Sequence, residues 1–157
     1  MTVQELLERG LGAYRETSAL KEKIDELEAA VCSLSSPGGG APGSPRTDKY
    51  AEYVAYKDLL ERKLQLRKRQ MAAEHVAVIL LTHDLPGGQR DAVRLRYCRG
   101  KSMEQIADGL HYTVRHAERL LKEAVSELKK SVSEWDVRAA LPTWYMDYVD
   151  ETEKARA

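Results

Sequence analysis

Residues 91–128 read DAVRLRYCRGKSMEQIADGLHYTVRHAERLLKEAVSEL, and their spacing decides the fold. Just ahead of them Leu85-Pro86-Gly87-Gly88 breaks any preceding helix, and three helical segments follow. The first runs from Gln89 to Cys98 and closes at Arg99-Gly100-Lys101, with Gly100 suited to the left-handed position past a helix end. Ser102 caps a second segment, Met103 to Gly109. Leu110-His111-Tyr112 makes a tight turn, and Thr113 caps a last helix reaching about Lys130. The last two segments have helix-turn-helix spacing. Ile106 and Ala107 supply the apolar and small residues that let a second helix cross closely. Leu110 and Tyr112 flank the turn, and Ala117 and Leu120 point inward from the second helix. His111 stands where such turns usually carry Gly; histidine is among the residues enriched at positive φ.

The outward face of that last helix reads Thr113, Val114, Arg115, His116, Glu118, Arg119 and Lys122. Reading a duplex needs donors near the N-terminal end of a helix in the major groove, with apolar tips for thymine methyls. Arg115 and Arg119, four residues apart, suit bidentate contacts to guanine, and Val114 suits a methyl. Lys101, Lys122 and Lys129 suit phosphates, with Ser102 beside Lys101 at the preceding helix start. The expected DNA-contacting set is Lys101, Ser102, Thr113, Val114, Arg115, His116, Arg119 and Lys122. The competing reading is a solvated helix face on which Arg119 and Lys122 pair with Glu118 or Glu123.

Working upstream, residues 35–46, SSPGGGAPGSPR, hold ten Gly, Pro or Ser in twelve positions, a linker composition. Before it, Leu20, Ile24, Leu27, Val31 and Leu34 step by 4, 3, 4 and 3, a heptad seam. That helix starts near Thr2, which forms a capping box with Glu5; Gly10 and Gly12 weaken its first half. After the linker, Asp48 is placed to cap a second long helix to about Thr82. Tyr53, Tyr56, Leu60 and Leu64 form its stripe, continued by Met71, Val78 and Leu81, with Leu59 and Leu66 on the flank. The expected architecture is all-α: a long helical hairpin or coiled coil followed by a C-terminal helix-turn-helix domain. Its divisions are 1–34 for the first helix, 35–47 for the linker, 48–83 for the second helix, 84–131 for the DNA-binding domain and 132–157 for an acidic aromatic tail.

Composition agrees. Ala, Glu, Lys, Leu and Arg make up half of the 157 residues, as in long helices, and there is no Phe. The 25 basic and 25 acidic side chains cancel over the chain but not along it. Residues 57–70 and 89–131 each carry +4, whereas 1–34 and 132–157 each carry −3, so a neutral chain can still present a basic face. The tail's charge and its Trp135, Trp144, Tyr145 and Tyr148 point to docking on protein, its own reader or a polymerase, rather than on DNA; Pro142 ends any helix begun near Ser133. The two long seams also predict self-association through residues 20–34 and 50–81.

At this point the sequence resembles a family. Residues 91–128 look like region 4 of sigma-70-type factors, through Arg96-Tyr97, Gly100, Ser102, Glu104 to Ala107, Tyr112, Ala124 and Leu128. The stretch is similar, more closely, to the sigma-region-4-like proteins of phages and prophages of Gram-positive bacteria, including ArpU- and RinA-type late-operon regulators. YRETSALKEKIDELEAAV, from Tyr14, and DKYAEYVAYKDLLERKLQL, from Asp48, resemble the helical leader of a subset of these, so the likeness spans about 14–130. The Ala117 position is usually larger and β-branched in such helices. The resemblance implies a transcription regulator that binds double-stranded DNA, with host RNA polymerase as a further partner, in the cytoplasm of a bacterial host and associated with its nucleoid.

Other classes find less support. The longest apolar run, Val76 to Leu81, has six residues against the ~20 that span a bilayer, and residues 1–34 lack a continuous apolar core for a secretory signal. Cys32 and Cys98 stand apart from any ligand pair, and His75, His83, His111 and His116 show no metal spacing. GGGAPGSP precedes Arg46-Thr47 rather than Lys-Ser/Thr, so no phosphate-binding loop is read. The expectation is no enzyme, no cofactor and no metal. Two other functions stay open: a small terminase subunit recognising phage DNA for packaging, and a coiled-coil interaction protein that binds no DNA.

Overall fold

The computed structural model describes residues 1–34 and 45–157, and all regular structure among them is helical. Most of the linker read from the sequence therefore lies outside the described residues. The helices are α1 (Val3–Leu34), α2 (Pro45–Leu81), α3 (Gly87–Val93), α4 (Met103–Leu110), α5 (Val114–Ser131), α6 (Glu134–Ala140) and α7 (Thr143–Arg156), with a π turn at Arg94–Cys98 between α3 and α4. The chain divides into two compact units, residues 16–69 and residues 1–15 with 70–157.

The unit 16–69 is an antiparallel pairing of α1 with α2. Leu20 and Ile24 bury against Leu60 and Leu64, with Leu27 at the edge. Arg67 donates to Glu16 at 2.8 Å and Lys57 lies 3.2 Å from Glu28, which fixes the antiparallel register. The two seams thus fill each other within one chain. Tyr56 is exposed, with Lys23 5.6 Å from its ring centre, so the stripe is narrower than the sequence suggested. The second helix begins at Pro45 rather than at an Asp48 cap. Proline is favoured at a first helical position, where its missing N–H has no partner to lose.

The other unit builds one core from both ends of the chain. Val3, Leu6 and Leu7 of α1 meet Ala73, Ala77 and Val78 of α2, Ala124 and Leu128 of α5, Val137 of α6, Leu141 just after it, and Tyr145, Met146 and Val149 of α7. The α1 start is capped as expected: Thr2 N–H donates to the Glu5 carboxylate at 2.9 Å, and Glu5 N–H donates to Thr2 Oγ1 at 3.2 Å. Gly10 serves close approach: a Cβ there would meet the Tyr97 carbonyl oxygen at 3.4 Å and the His75 ring at 3.7 Å. Residues 132–157 are two helices of this core. Ser133 and Asp136 form the capping box that opens α6, and α6 ends at Ala140, two residues before Pro142. The Tyr145 hydroxyl donates to Glu74 at 2.5 Å; both residues are almost wholly buried.

Candidate nucleic-acid interface

The helix-turn-helix is built from local chemistry. Ser102 opens α4 with a capping box: Gln105 N–H donates to Ser102 Oγ, and Ser102 N–H donates to Gln105 Oε1. His111 closes α4 in the left-handed region, at φ 59° and ψ 39°. Thr113 then opens α5 by accepting from His116 N–H at 3.2 Å. Ile106, Ala107 and Ala117 are buried together with Ala92, so α4, α5 and α3 touch through mostly small side chains. A fully buried Ala117 accounts for the small residue at a position that such helices usually fill with a larger one.

The spacing predicts one continuous helix from Gln89 to Cys98; the structure instead has α3 from Gly87, followed by the π turn. That wider turn accompanies two anchors: Arg94 donates to the Ile79 carbonyl at 3.1 Å, and Arg96 donates to the Lys101 carbonyl at 3.0 Å. Leu120 and Leu121 of α5 are both half-buried: Leu121 packs on the small-residue cluster, and Leu120 lies over Gly88 of α3. Tyr112 flanks the turn as expected and is exposed, its ring set edge-on to His116 at 4.5 Å.

The outward face of α5 carries Thr113, Val114, Arg115, Arg119 and Lys122 exposed, with His116 half-buried. Together Thr113, Arg115, His116, Glu118, Arg119 and Lys122 line one shallow depression. Lys101 and Ser102 lie at the start of α4, half-buried, and outside that depression. The two arginines differ. Arg115 makes no hydrogen bond or ion pair among the described residues. Arg119 donates to His116 Nδ1 at 2.8 Å and lies 3.8 Å from Glu123, so its guanidinium lies along its own helix. The competing reading of Arg119 as a residue of a paired surface thus holds part of the truth; an exposed pair of this kind is worth only tenths of a kcal/mol, and a duplex can displace it. The Arg119–Glu123 approach is one that the i,i+4 spacing offers, whereas the Tyr112–His116 stack is not read from the sequence.

Electrostatics favour an anion at this helix start. The first turns of α1, α4 and α6 carry Glu5, Glu104, and Glu134 with Asp136, which complement the positive end of the helix dipole. The first turn of α5, like those of α3 and α7, has no acidic residue, and it carries Arg115. An arginine added to a positive helix end costs the isolated helix a few tenths of a kcal/mol and raises the potential felt by a phosphate.

Residues 83–130 match the family model for region 4 of sigma-70. No curated protein and no solved structure matches the chain. The match covers α3, the π turn, α4 and nearly all of α5, so the region 4-like segment is the helix-turn-helix with its supporting helix. It stops before α6 and α7, and it leaves out the pairing of α1 with α2. The chain therefore carries a sigma-70 region 4-like helix-turn-helix, a DNA-binding module, within a larger all-helical fold. Among the described residues no helix is long and apolar enough to cross a membrane.

Proposed function

We propose that this protein is a sequence-specific, DNA-binding transcription regulator of the phage or prophage type, and not an enzyme. It inserts the N-terminal half of α5 into the major groove and touches host RNA polymerase, as region 4 of sigma factors does. The observation that carries this reading is the exposed, acid-free start of α5. There Arg115, Arg119 and Lys122 project from a helix whose other side is locked on Ile106 and Ala107. In this reading Arg115 and Arg119 read bases, Val114 meets a thymine methyl, Lys122 and Lys101 neutralise phosphates, and the Ser102 and Thr113 hydroxyls reach the backbone. Self-association belongs to the same proposal. Leu59 and Leu66, 62% and 54% exposed, are two of the apolar positions of α2 left open once the hairpin seams have closed.

The test starts by selecting bound duplexes from a random pool. Binding of Arg115→Ala, Arg119→Ala and Lys122→Ala to the selected and scrambled sites is then compared at several salt concentrations. A bidentate arginine is worth ~1–3 kcal/mol of base discrimination, so at least one arginine variant should lose roughly ten- to a hundredfold on the selected site alone. Lys122→Ala should weaken both duplexes alike and reduce the salt slope by about one. Parental binding by all three variants, with helicity intact, would remove α5 as the reader.

A further inference from the structure

The two arginines on the outward face of α5 are held differently, and a neighbouring side chain makes the difference. Arg119 Nη2 lies 2.8 Å from His116 Nδ1, one turn nearer the helix start. A guanidinium can only donate, so this ring nitrogen accepts, and the imidazole is neutral with its proton on Nε2. His116 is itself held in place. Its N–H donates to Thr113 Oγ1 at 3.2 Å in the helix cap, and Ala117 beside it is fully buried. Its ring meets that of Tyr112 with the centres 4.5 Å apart and the planes 79° apart. Tyr112 is braced in turn: its N–H donates to the Ala107 carbonyl at 2.8 Å, and its hydroxyl lies 3.8 Å from where a Gly88 Cβ would stand. One line of contacts thus runs from the start of α3, through the turn, to the guanidinium of Arg119.

We propose that His116 is the positioning residue of the reading helix, holding the Arg119 guanidinium toward the start of α5 in the orientation that meets guanine. The inference rests on α5 being the DNA reader. Arg119 gives one N–H to His116 and keeps a hydrogen on each of its nitrogens, so a bidentate pair remains for guanine O6 and N7. A neutral acceptor suits this task better than a carboxylate, because it orients the cation without cancelling the charge that draws phosphates. Glu123, 3.8 Å from Arg119 Nε on the following turn, makes the longer approach, and it is the one that a duplex displaces. Arg115 is exposed and makes no hydrogen bond or ion pair among the described residues, so the duplex itself has to order it. Arg119 arrives already oriented, which lowers the ordering cost of its contact.

The duplex selected from a random pool serves as the probe for the full chain, with each base pair varied singly. Arg119→Ala locates the base pair that Arg119 reads, as the position where preference is lost. His116→Ala should lose about tenfold of the preference at that same position and little elsewhere. His116→Asn should restore it, because the amide oxygen accepts in place of Nδ1. The double variant His116→Ala, Arg119→Ala should discriminate there no worse than Arg119→Ala alone, since both changes remove one interaction. Equal losses at every base pair would make His116 a support of α5 rather than a guide for Arg119, and would overturn the proposal. So would losses that add in the double variant, or a failure of His116→Asn to restore preference. Parental preference in His116→Ala, with Arg119→Ala impaired, would sink the inference and leave α5 as the reader. No loss in Arg119→Ala would also sink it, and α5 itself would fall only with Arg115→Ala and Lys122→Ala parental as well.

Discussion

Two residues hold the backbone in the left-handed region, and they should respond to substitution with opposite signs. Gly100 has φ 61°, and the Tyr14 ring sits where its Cβ would be, closer than any side-chain atom tolerates. Gly100→Ala therefore meets about 1–2 kcal/mol of backbone strain, with displacement of Tyr14 added to it. His111 has φ 59° and pays the strain already. His111→Gly removes that cost but gains unfolded-state entropy, for a net stabilisation of a few tenths to about 1 kcal/mol. Urea melts of the two variants should bracket the parent; a stabilised Gly100→Ala would contradict the close contact with Tyr14. Both positions were legible beforehand, because a turn's demand on φ is met by the residue that occupies it. Glu74 was not. On an isolated helix it reads as one more surface charge, and only the Tyr145 hydroxyl, 71 residues further along the chain, shows it to be interior.

At the scale of elements, caps and turns were readable for the same local reason: Thr2, Ser102, Thr113 and Ser133 each bond within three residues. What escaped depended on partners far away in the sequence. Leu121 shares the packing of α5 with Leu120 because α5 lies against both α3 and α4, and one residue turns a side chain by 100° around a helix. The π turn widens a helix whose composition gives no warning of it. Residues 132–157 read as an acidic appendage because their apolar positions are spread thinly, yet Val137, Tyr145 and Val149 are interior to the same core as Leu6 and Val93. Removing residues 133–157 should therefore unfold the unit rather than merely trim it, which a loss of cooperative melting would register. Tyr145→Phe isolates the polar part of that packing. Burial and Glu74 push the Tyr145 hydroxyl's pKa well above its ordinary value, so it stays a donor throughout the accessible pH range. Its loss should cost about 1–3 kcal/mol while the fold is kept. A variant as stable as the parent would make the hydrogen bond irrelevant.

At the scale of the whole molecule, stability should depend on pH through His75, whose Nε2 faces the Gly10 carbonyl at 3.4 Å. Burial holds its imidazole below the ordinary value of 6.5, and the Gly10 contact offsets this only in part. The unfolded chain therefore takes up this proton at a higher pH than the folded chain does. The contribution is complete above about 6.5 and is lost as pH falls through that value toward the lower folded pKa. Denaturant melts at pH 7.5 and 5.5 should show a smaller drop for His75→Gln than for the parent; an equal drop would assign the effect to other groups. The union of residues 1–15 with 70–157 in one unit has a temporal consequence. During synthesis Leu6 and Leu7 leave the ribosome long before Tyr145 and Val149 exist to cover them, so the nascent α1 must wait with its apolar face open. The helix-turn-helix, though complete in sequence by Ser131, gains its full support only when these last helices arrive. A stalled or truncated translation product is thus a natural client for chaperones and proteases rather than a half-working DNA reader.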